Sequence, residues 1–220
     1  MLLEKLRIQV LETARRMLAD GIARGAQGNV SAFDREAGYV AITPSALPYD
    51  QIEAEDICIV DLERKVVAGK WRPTSEIALH MAFYHNRPDV NAVVHSHAPY
   101  TTAFGITGER FLPMVLNEAA MCLGAPLPVA PYAPPGTEEL AQLILEVVGQ
   151  GTGAIMAHHG LVTVGPSLAL AYDATLAAEN TAHIIILVRA MGAKEITLGS
   201  EEVKKLRAAF LNQYKATKLS

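Results

Sequence analysis

Cysteine is scarce in this sequence, and its two cysteines, Cys58 and Cys122, lie far apart. Two isolated cysteines give neither a disulfide framework nor a thiolate metal site, and two reduced thiols are typical of a cytoplasmic protein. No apolar run reaches the roughly 18 residues that a membrane-spanning helix needs. Charged Glu4, Lys5 and Arg7 interrupt the N-terminal leucines, which predicts an amphipathic helix rather than a secretion signal. We therefore expect a cytoplasmic protein with no membrane partner.

The sequence also lacks an excess of charge of either sign. Its formal net charge is −4, and acidic and basic residues are interspersed along the chain. The few basic clusters, such as Lys204-Lys205 with Arg207, are typical of the solvated face of a helix. A basic surface that binds nucleic acid is therefore not expected.

Helical and strand-like patterns intermix along the chain, without a regular strand–helix–strand repeat. Half of the 220 residues are hydrophobic (50%), which is enough for one domain with a substantial core. No repeat, linker or change of composition marks a domain boundary, so the sequence predicts a single α/β domain over residues 1–220. Predicted helices cover residues 3–20, 75–86, 99–105, 136–148, 167–191 and 201–214. Predicted strands cover residues 29–33, 39–43, 57–61, 65–68, 90–95, 154–157 and 161–164.

Two histidines at the end of a predicted strand are the most informative feature that the sequence does contain. His95-Ser96-His97 ends an apolar run, and residues i and i+2 of a strand point to the same face. Such a pair forms half of a transition-metal site, although His-x-His also occurs in ordinary strands. Another apolar run ends at His158-His159. If that segment is extended, only one of these two histidines can face the first pair.

A carboxylate precedes the histidine pair in Pro73-Thr74-Ser75-Glu76. At the start of a predicted helix, an acidic residue often does no more than stabilise the helix dipole. The alternative is that Glu76 reaches a metal and removes a proton from a substrate carbon. Three histidines and a glutamate indicate a catalytic rather than a structural metal, because neutral imidazoles leave the cation strongly Lewis acidic. His80, one turn later, is more typical of packing or of a supporting contact.

Glycines, hydroxyls and amides recur in three short segments, which cover residues 25–31, 43–45 and 74–75. Backbone N–H groups and hydroxyls near a helix N-terminus bind phosphate without any lysine. Each segment alone is weak, since glycine loops and hydroxyl caps are common. Together with the metal-ligand candidates, they favour a small phosphorylated substrate.

These motifs follow one another in an order that resembles the class II metal-dependent aldolase and adducin superfamily. Within it, the sequence is most similar to the aldolases that act on L-fuculose 1-phosphate. The resemblance covers nearly the whole chain and includes residues 87–94 and 130–133. It is carried by Gly28-Asn29-Val30-Ser31, Ile42-Thr43-Pro44-Ser45, Pro73-Thr74-Ser75-Glu76, His95-Ser96-His97 and His158-His159-Gly160-Leu161.

The resemblance implies a three-layer α/β/α sandwich with a largely antiparallel central sheet. It also implies a homotetramer with Zn²⁺ at its subunit interfaces, and Mn²⁺, Co²⁺ and Fe²⁺ accept similar ligands. The implied metal ligands are Glu76, His95, His97 and His159.

The implied reaction is the reversible cleavage of a ketose 1-phosphate to dihydroxyacetone phosphate and an aldehyde. L-Fuculose 1-phosphate and related deoxy or pentulose 1-phosphates are the expected substrates. Glu76 is the expected base at the nucleophilic carbon, and Tyr214 corresponds to a catalytic tyrosine near the family's C-terminus. The implied phosphate-binding residues are Gly28, Asn29, Ser45, Thr74 and Ser75.

The sequence departs from the family pattern at several positions. Asn117 stands where the family has a tyrosine that a neighbouring subunit supplies, and Ala46 and Ala26 replace a glycine and a threonine near the phosphate. Relatives that decarboxylate 3-oxo-tetronate 4-phosphates or dehydrate methylthioribulose 1-phosphate are therefore the alternatives. A non-enzymatic interaction domain of the adducin type is least favoured, since such a domain is expected to lack the three metal histidines.

Overall fold

The computed structural model describes residues 1–217, over which the chain forms seven α-helices and nine β-strands. A short 3₁₀ turn covers Ala54–Asp56. In chain order the elements are α1 (Glu4–Ala19), β1 (Asn29–Asp34), β2 (Tyr39–Ile42), β3 (Cys58–Val60), β4 (Val66–Ala68), α2 (Ile77–Asn86), β5 (Ala92–Ser96), α3 (Pro99–Phe104), β6 (Phe111–Leu112), α4 (Asn117–Leu123), β7 (Leu127–Ala130), α5 (Glu138–Val148), β8 (Gly153–Met156), β9 (Gly160–Gly165), α6 (Leu168–Ala190) and α7 (Ser200–Thr217).

Local sequence signals explain where the longer helices begin and end. The side chain of Thr137 accepts a hydrogen bond from the Leu140 N–H at the start of α5, and Ser167 does the same for the Leu170 N–H at the start of α6. Gly149, whose φ is +51°, ends α5.

The predicted helices and strands are all present, with ends that differ by a few residues. None of the helices in residues 1–217 is long and apolar enough to cross a membrane.

The strands form one mixed sheet in the order β4-β3-β2-β1-β5-β9-β8-β7-β6. Strands β7 and β8 pair in parallel, whereas the other neighbouring strands pair antiparallel. The expected largely antiparallel sheet is therefore corrected to a mixed one. The physical reason is the helix α5, which connects β7 to β8 and returns the chain to the same end of the sheet, as a parallel pair requires.

Alternating strand residues supply separate apolar clusters on the two faces of the sheet. On one face, Val93 and Val162 pack with residues of α2 and α5. On the opposite face, Val30 and Val94 pack with residues of α1 and with the start of α6. Burial of each such side chain stabilises the fold by about 1.5–3 kcal/mol. The three-layer arrangement of the whole domain stays a prediction.

The centre of the sheet brings distant segments of the chain together. Asn29 of β1 lies opposite His95 of β5, and Leu161 of β9 lies opposite Ser96. Directly opposed residues of an antiparallel pair project to the same face. Asn29 and His95 therefore face the side of the sheet that α2 covers.

Gly28 allows the backbone of the residue 25–28 loop to contact β5. Its φ is +74°, and a Cβ atom there would lie 2.5 Å from the His95 carbonyl oxygen. Gly25 has a similar φ of +59°, but a Cβ atom at Gly25 would have no neighbouring atom within 4 Å. The two glycines thus share the conformational requirement, and only Gly28 has the steric one.

We expect Gly28→Ala to lower the free energy of unfolding by about 1–3 kcal/mol more than Gly25→Ala, because overpacking adds to the strain that both variants share. Urea unfolding of the metal-free proteins measures this difference. Equal losses in the two variants would contradict the close approach of Gly28 to β5.

Candidate active site

Three histidine side chains converge at the end of the central strands. The Nε2 atoms of His95 and His97 lie 3.2 Å apart, and the ring centroid of His159 lies 4.8 Å from that of His95 and 5.3 Å from that of His97. One ligand nitrogen from each residue lies within 4.8 Å of the other two. His95 is fully buried, whereas the other two rings are partly exposed. The three imidazoles can therefore contact one ion that is accessible from the surface.

A tight turn between β8 and β9 brings His159 to this cluster. The segment 157–159 is not extended, since the His159 N–H donates to the Met156 carbonyl at 3.1 Å and His158 has a positive φ of 59°. The left-handed conformation of His158 turns its exposed ring away, to 6.3 Å from the ring of Tyr132. The structure thus separates the two adjacent histidines by a turn, and not by strand alternation.

Glu76 lies immediately before α2, and its buried carboxylate completes the cluster. Its Oε2 atom is 3.0 Å from Nε2 of His95, and its Oε1 atom is 3.4 Å from Nε2 of His159. The side-chain amide of Asn29 donates to Oε2 at 2.9 Å. The helix start therefore aims a carboxylate at the three imidazoles, and this supports the functional interpretation of Glu76 over simple stabilisation of the helix dipole.

The protonation states of Glu76, His97 and His159 suit a cation ligand set. Burial opposes the charge of His95, but the neighbouring Glu76 outweighs it and raises the pKa of His95, so a cation replaces the proton on that ring. Burial opposes the charge of Glu76, but His95 and the amide of Asn29 outweigh it and lower the pKa of the carboxyl below its usual range. Burial, together with the neighbouring His95 and His159, lowers the pKa of His97 to about 4. Burial likewise lowers the pKa of His159. Near neutral pH, Glu76 is anionic while His97 and His159 are neutral, which is the form that binds metals.

One orphaned atom tests whether a metal fits this cluster. Oε1 of Glu76, which lies 3.4 Å from Nε2 of His159, is a buried polar atom with no hydrogen-bond partner in the described part of the chain. His95 donates from Nδ1 to the Leu161 carbonyl at 3.0 Å, which leaves Nε2 as its metal-binding atom and directs it toward Glu76. Three imidazole nitrogens with one carboxylate oxygen form a donor set that divalent transition metals prefer. The residues present therefore fit such a cation.

A cavity of about 350 Å³ opens beside the histidines. Its lining includes Glu76, His97 and His159 from the cluster. Every residue that the sequence predicts for phosphate binding also lines it, namely Gly28, Asn29, Ser45, Thr74 and Ser75. The structure therefore brings the predicted metal ligands and the predicted phosphate-binding residues to one site.

Known proteins resemble this chain in both sequence and fold. The sequence profile of the Class II Aldolase and Adducin N-terminal domain family matches residues 8–186. The chain belongs to this family. It is a class II aldolase, which is a metal-dependent carbon–carbon lyase.

Several known aldolases are similar to this chain along almost its whole length. It is 33% identical over 210 residues to the 5-deoxy-D-ribulose 1-phosphate aldolase of Bacillus thuringiensis, which covers 96% of this chain and 97% of the relative. It is 33% identical to the L-fuculose phosphate aldolase of Escherichia coli, over 90% of this chain and 91% of the relative. A solved structure of an L-fuculose 1-phosphate aldolase superposes with a TM-score of 0.88 at 29% identity, over 94% of this chain and 96% of that one.

Within one chain, two residues that the resemblance singles out lie away from the cluster of three histidines and Glu76. The Tyr214 hydroxyl lies 3.0 Å from the Ser167 hydroxyl. Ser167 follows the C-terminal end of β9, whereas His159 precedes its N-terminal end. Asn117 is exposed at the first turn of α4. Neither residue lines the cavity, so one chain does not bring Tyr214 to Glu76. A catalytic role for Tyr214 stays a prediction that requires a second subunit.

Tyr49 is a supporting residue that the sequence analysis did not identify. Its buried hydroxyl donates to the Gly28 carbonyl at 2.6 Å, and burial raises the pKa of Tyr49 to about 12, so the hydroxyl stays protonated. This contact holds the loop that lines the cavity. A lone tyrosine after a proline-containing turn has no recognisable motif, and only the tertiary contact reveals its role.

We expect His159→Ala to lower the binding of one Co²⁺ equivalent by at least about tenfold, because it removes one imidazole from the proposed ligand set. The adjacent variant His158→Asn is the matched control, since asparagine tolerates the left-handed conformation. Isothermal titration of the metal-free proteins with Co²⁺ measures both. Unchanged affinity in His159→Ala would remove His159 from the ligand set.

The buried His80 predicts how stability depends on pH. Burial lowers the pKa of His80 to about 3, whereas an unfolded histidine titrates near 6.5. The unfolded chain therefore binds more protons between these values, and the metal-free protein loses stability as the pH falls through this window. His80→Gln should reduce the slope of unfolding free energy against pH by about 1.4 kcal/mol per unit, near pH 5.

Urea unfolding at several pH values between 7 and 4.5 tests this expectation. The exposed variant His85→Gln, on the same helix, is the control and should keep the wild-type slope. An unchanged slope in His80→Gln would show that His80 takes up its proton in the folded protein.

Proposed function

We propose that this aldolase cleaves a ketose 1-phosphate reversibly to dihydroxyacetone phosphate and an aldehyde, with Zn²⁺ as its metal. The observation that carries this proposal is the position of Glu76, whose carboxylate contacts two of the three histidines and also lines the cavity. A base between a cation site and an anion site suits a substrate whose carbonyl group lies next to a phosphate ester. The names of the relatives favour 5-deoxyribulose 1-phosphate or L-fuculose 1-phosphate.

We assign the phosphate to the hydroxyl, amide and backbone N–H groups of the cavity. These groups lie near the N-terminus of α2, whose dipole favours an anion. One amide hydrogen of Asn29 bonds to Glu76, and the second is available to a substrate oxygen. The described residues that line the cavity include no lysine or arginine. The proposed phosphate-binding residues are Gly28, Asn29, Ser45, Thr74 and Ser75.

Glu76 has the proposed role of moving the proton at the reacting carbon. In the condensation direction, its carboxylate removes a proton from the hydroxymethyl carbon of dihydroxyacetone phosphate. In the cleavage direction, the C4 hydroxyl loses its proton as it becomes the aldehyde oxygen, and the C3–C4 bond breaks with its electron pair left on C3. The Glu76 carboxyl then delivers a proton to C3, so one proton leaves the C4 oxygen and one arrives at C3. A divalent cation held by His95, His97 and His159 supplies a Lewis acid for the negative charge that develops on the substrate oxygens.

The products distinguish this reaction from the alternatives in the superfamily. Cleavage of 5-deoxyribulose 1-phosphate yields dihydroxyacetone phosphate and acetaldehyde, and cleavage of L-fuculose 1-phosphate yields the same phosphate with lactaldehyde. A 3-oxo-tetronate 4-phosphate decarboxylase releases carbon dioxide, and a methylthioribulose 1-phosphate dehydratase releases water and keeps the carbon chain intact. An enzymatic assay of dihydroxyacetone phosphate with a panel of ketose 1-phosphates therefore tests the proposal directly. No release with any substrate and any loaded metal would refute it.

We further propose that the aldolase is a cytoplasmic homotetramer with its sites at subunit interfaces. The placement of Tyr214 and Asn117 away from the cavity supports this, because one chain leaves the aldehyde side of the cavity without an acid from either position. Light scattering after gel filtration measures the assembly. A catalytically competent monomer would contradict an interfacial site.

We expect Glu76→Gln to slow deuterium exchange into dihydroxyacetone phosphate by about 10²–10⁴-fold, because an amide cannot accept the proton. Proton NMR in deuterium oxide, at saturating metal and without an aldehyde, isolates this step from C–C bond cleavage. The exposed variant Glu36→Gln is the control and should exchange at the wild-type rate. Wild-type exchange in Glu76→Gln would assign the base role to another residue.

A further inference from the structure

A continuous chain of buried side chains leads from Glu76 into the core. The Asn29 amide donates to Glu76 at 2.9 Å, and the Asn29 carbonyl oxygen lies 2.5 Å from Nε2 of His80. Nδ1 of His80 lies 2.6 Å from the hydroxyl of Ser31, which lies 2.5 Å from the hydroxyl of Tyr84. All five residues are buried, and His80 and Ser31 are fully so.

The geometry of two elements produces this chain. Glu76, His80 and Tyr84 recur every four residues along the start and body of α2, so they lie on one face of the helix. Asn29 and Ser31 alternate along β1 and face the same side of the sheet. The strand residues therefore insert between successive helix residues, and each of the five side chains bonds to the next one.

The hydrogen bonds of the chain have only one consistent direction. An ionised carboxylate only accepts, so Asn29 must present its N–H₂ group to Glu76 and its carbonyl oxygen to His80. His80 must then donate from Nε2, and because burial lowers its pKa to about 3, its Nδ1 is an unprotonated acceptor. Ser31 consequently donates to Nδ1, and Tyr84, whose pKa burial raises, donates to Ser31. Every donor in the chain points toward Glu76.

We propose that His80 is a positioning residue that acts through Asn29 to hold one oxygen of the Glu76 carboxylate and leave the other oxygen free for the reaction. Oε2 receives the Asn29 amide, whereas Oε1 has no hydrogen-bond partner among the described residues. The chain thereby decides which oxygen faces the substrate and fixes the rotation of the carboxylate. This inference rests on the proposed function of Glu76 as the base, but the hydrogen-bond direction does not.

The first test reads the tautomer of His80 directly. We expect ¹⁵N NMR of the metal-free protein to show neutral His80 with its proton on Nε2. The variant Ser31→Ala, which removes the donor to Nδ1, should weaken this preference. A proton on Nδ1 in the wild-type protein would overturn the proposed direction of the chain, whatever reaction the enzyme catalyses.

The second test compares His80→Leu with His80→Gln. Leucine breaks both hydrogen bonds of His80, whereas the glutamine amide can donate to Asn29 and accept from Ser31. We expect His80→Leu to lower kcat and the affinity for Co²⁺ about 10–100-fold each, with KM changed less than threefold, as for other residues that orient metal ligands. His80→Gln should recover most of both losses.

Two controls separate positioning from general stability. The exposed variant His85→Leu, on the same helix, should keep wild-type kcat and Co²⁺ affinity. Tyr84→Phe should lower kcat less than threefold, because Ser31 still donates to His80. Equal losses in His80→Leu and His80→Gln, or wild-type kcat and Co²⁺ affinity in His80→Leu, would refute the positioning role. If the wild-type enzyme releases no dihydroxyacetone phosphate, the proposed function fails, while the tautomer and the Co²⁺ affinity still test the chain.

Discussion

The register between β1 and β5 is the constraint on which the site depends. Because Asn29 lies opposite His95, their side chains share the face of the sheet that α2 covers, and Glu76 at the start of α2 reaches both. A shift of one residue would turn Asn29 and Ser31 to the opposite face, among the apolar residues that pack with α1. The close approach of Gly28 to the His95 carbonyl fixes the same register from the loop side, since no other residue fits between the two backbones. Strand pairing and metal-site geometry are therefore one structural feature.

Burial gives the carboxylate of Glu76 its electrostatic character. A charged group in an apolar layer is costly unless charges or hydrogen bonds compensate it. Here His95 and the Asn29 amide compensate Oε2, whereas Oε1 remains without a hydrogen bond from the described residues at the edge of the cavity. Binding of a cation or of a substrate proton would satisfy this oxygen. The same layer keeps His80 neutral. The hydrogen bonds from Tyr84 through Ser31, His80 and Asn29 therefore all stabilise the negative charge of Glu76.

Short-range patterns in the sequence predict much of this architecture, because strand alternation and helix periodicity act over a few residues. They predict most of the helices, most of the strands and the histidine pair. They do not predict the turn that separates His158 from His159, since two adjacent histidines carry no indication of a positive φ. Short-range patterns also do not predict the parallel pairing of β7 with β8, because β7 is short and a helix separates it from its partner. The contacts of Asn29 with Glu76 and His80 depend on how α2 packs against β1, which no local pattern encodes.

The residues with assigned roles in the cavity indicate which part of the substrate they select. Under the proposed reaction, the three histidines, Glu76 and the phosphate-binding residues contact only the part that all ketose 1-phosphates share. The two candidate substrates differ beyond C4, where acetaldehyde or lactaldehyde forms. Within a single chain, neither Asn117 nor Tyr214 lines the cavity. Under the proposed assembly, a neighbouring subunit that approaches the open side of the cavity supplies residues that discriminate between the two aldehydes. In this proposal the chemistry depends on the fold of one chain, whereas the choice of aldehyde depends on the assembly.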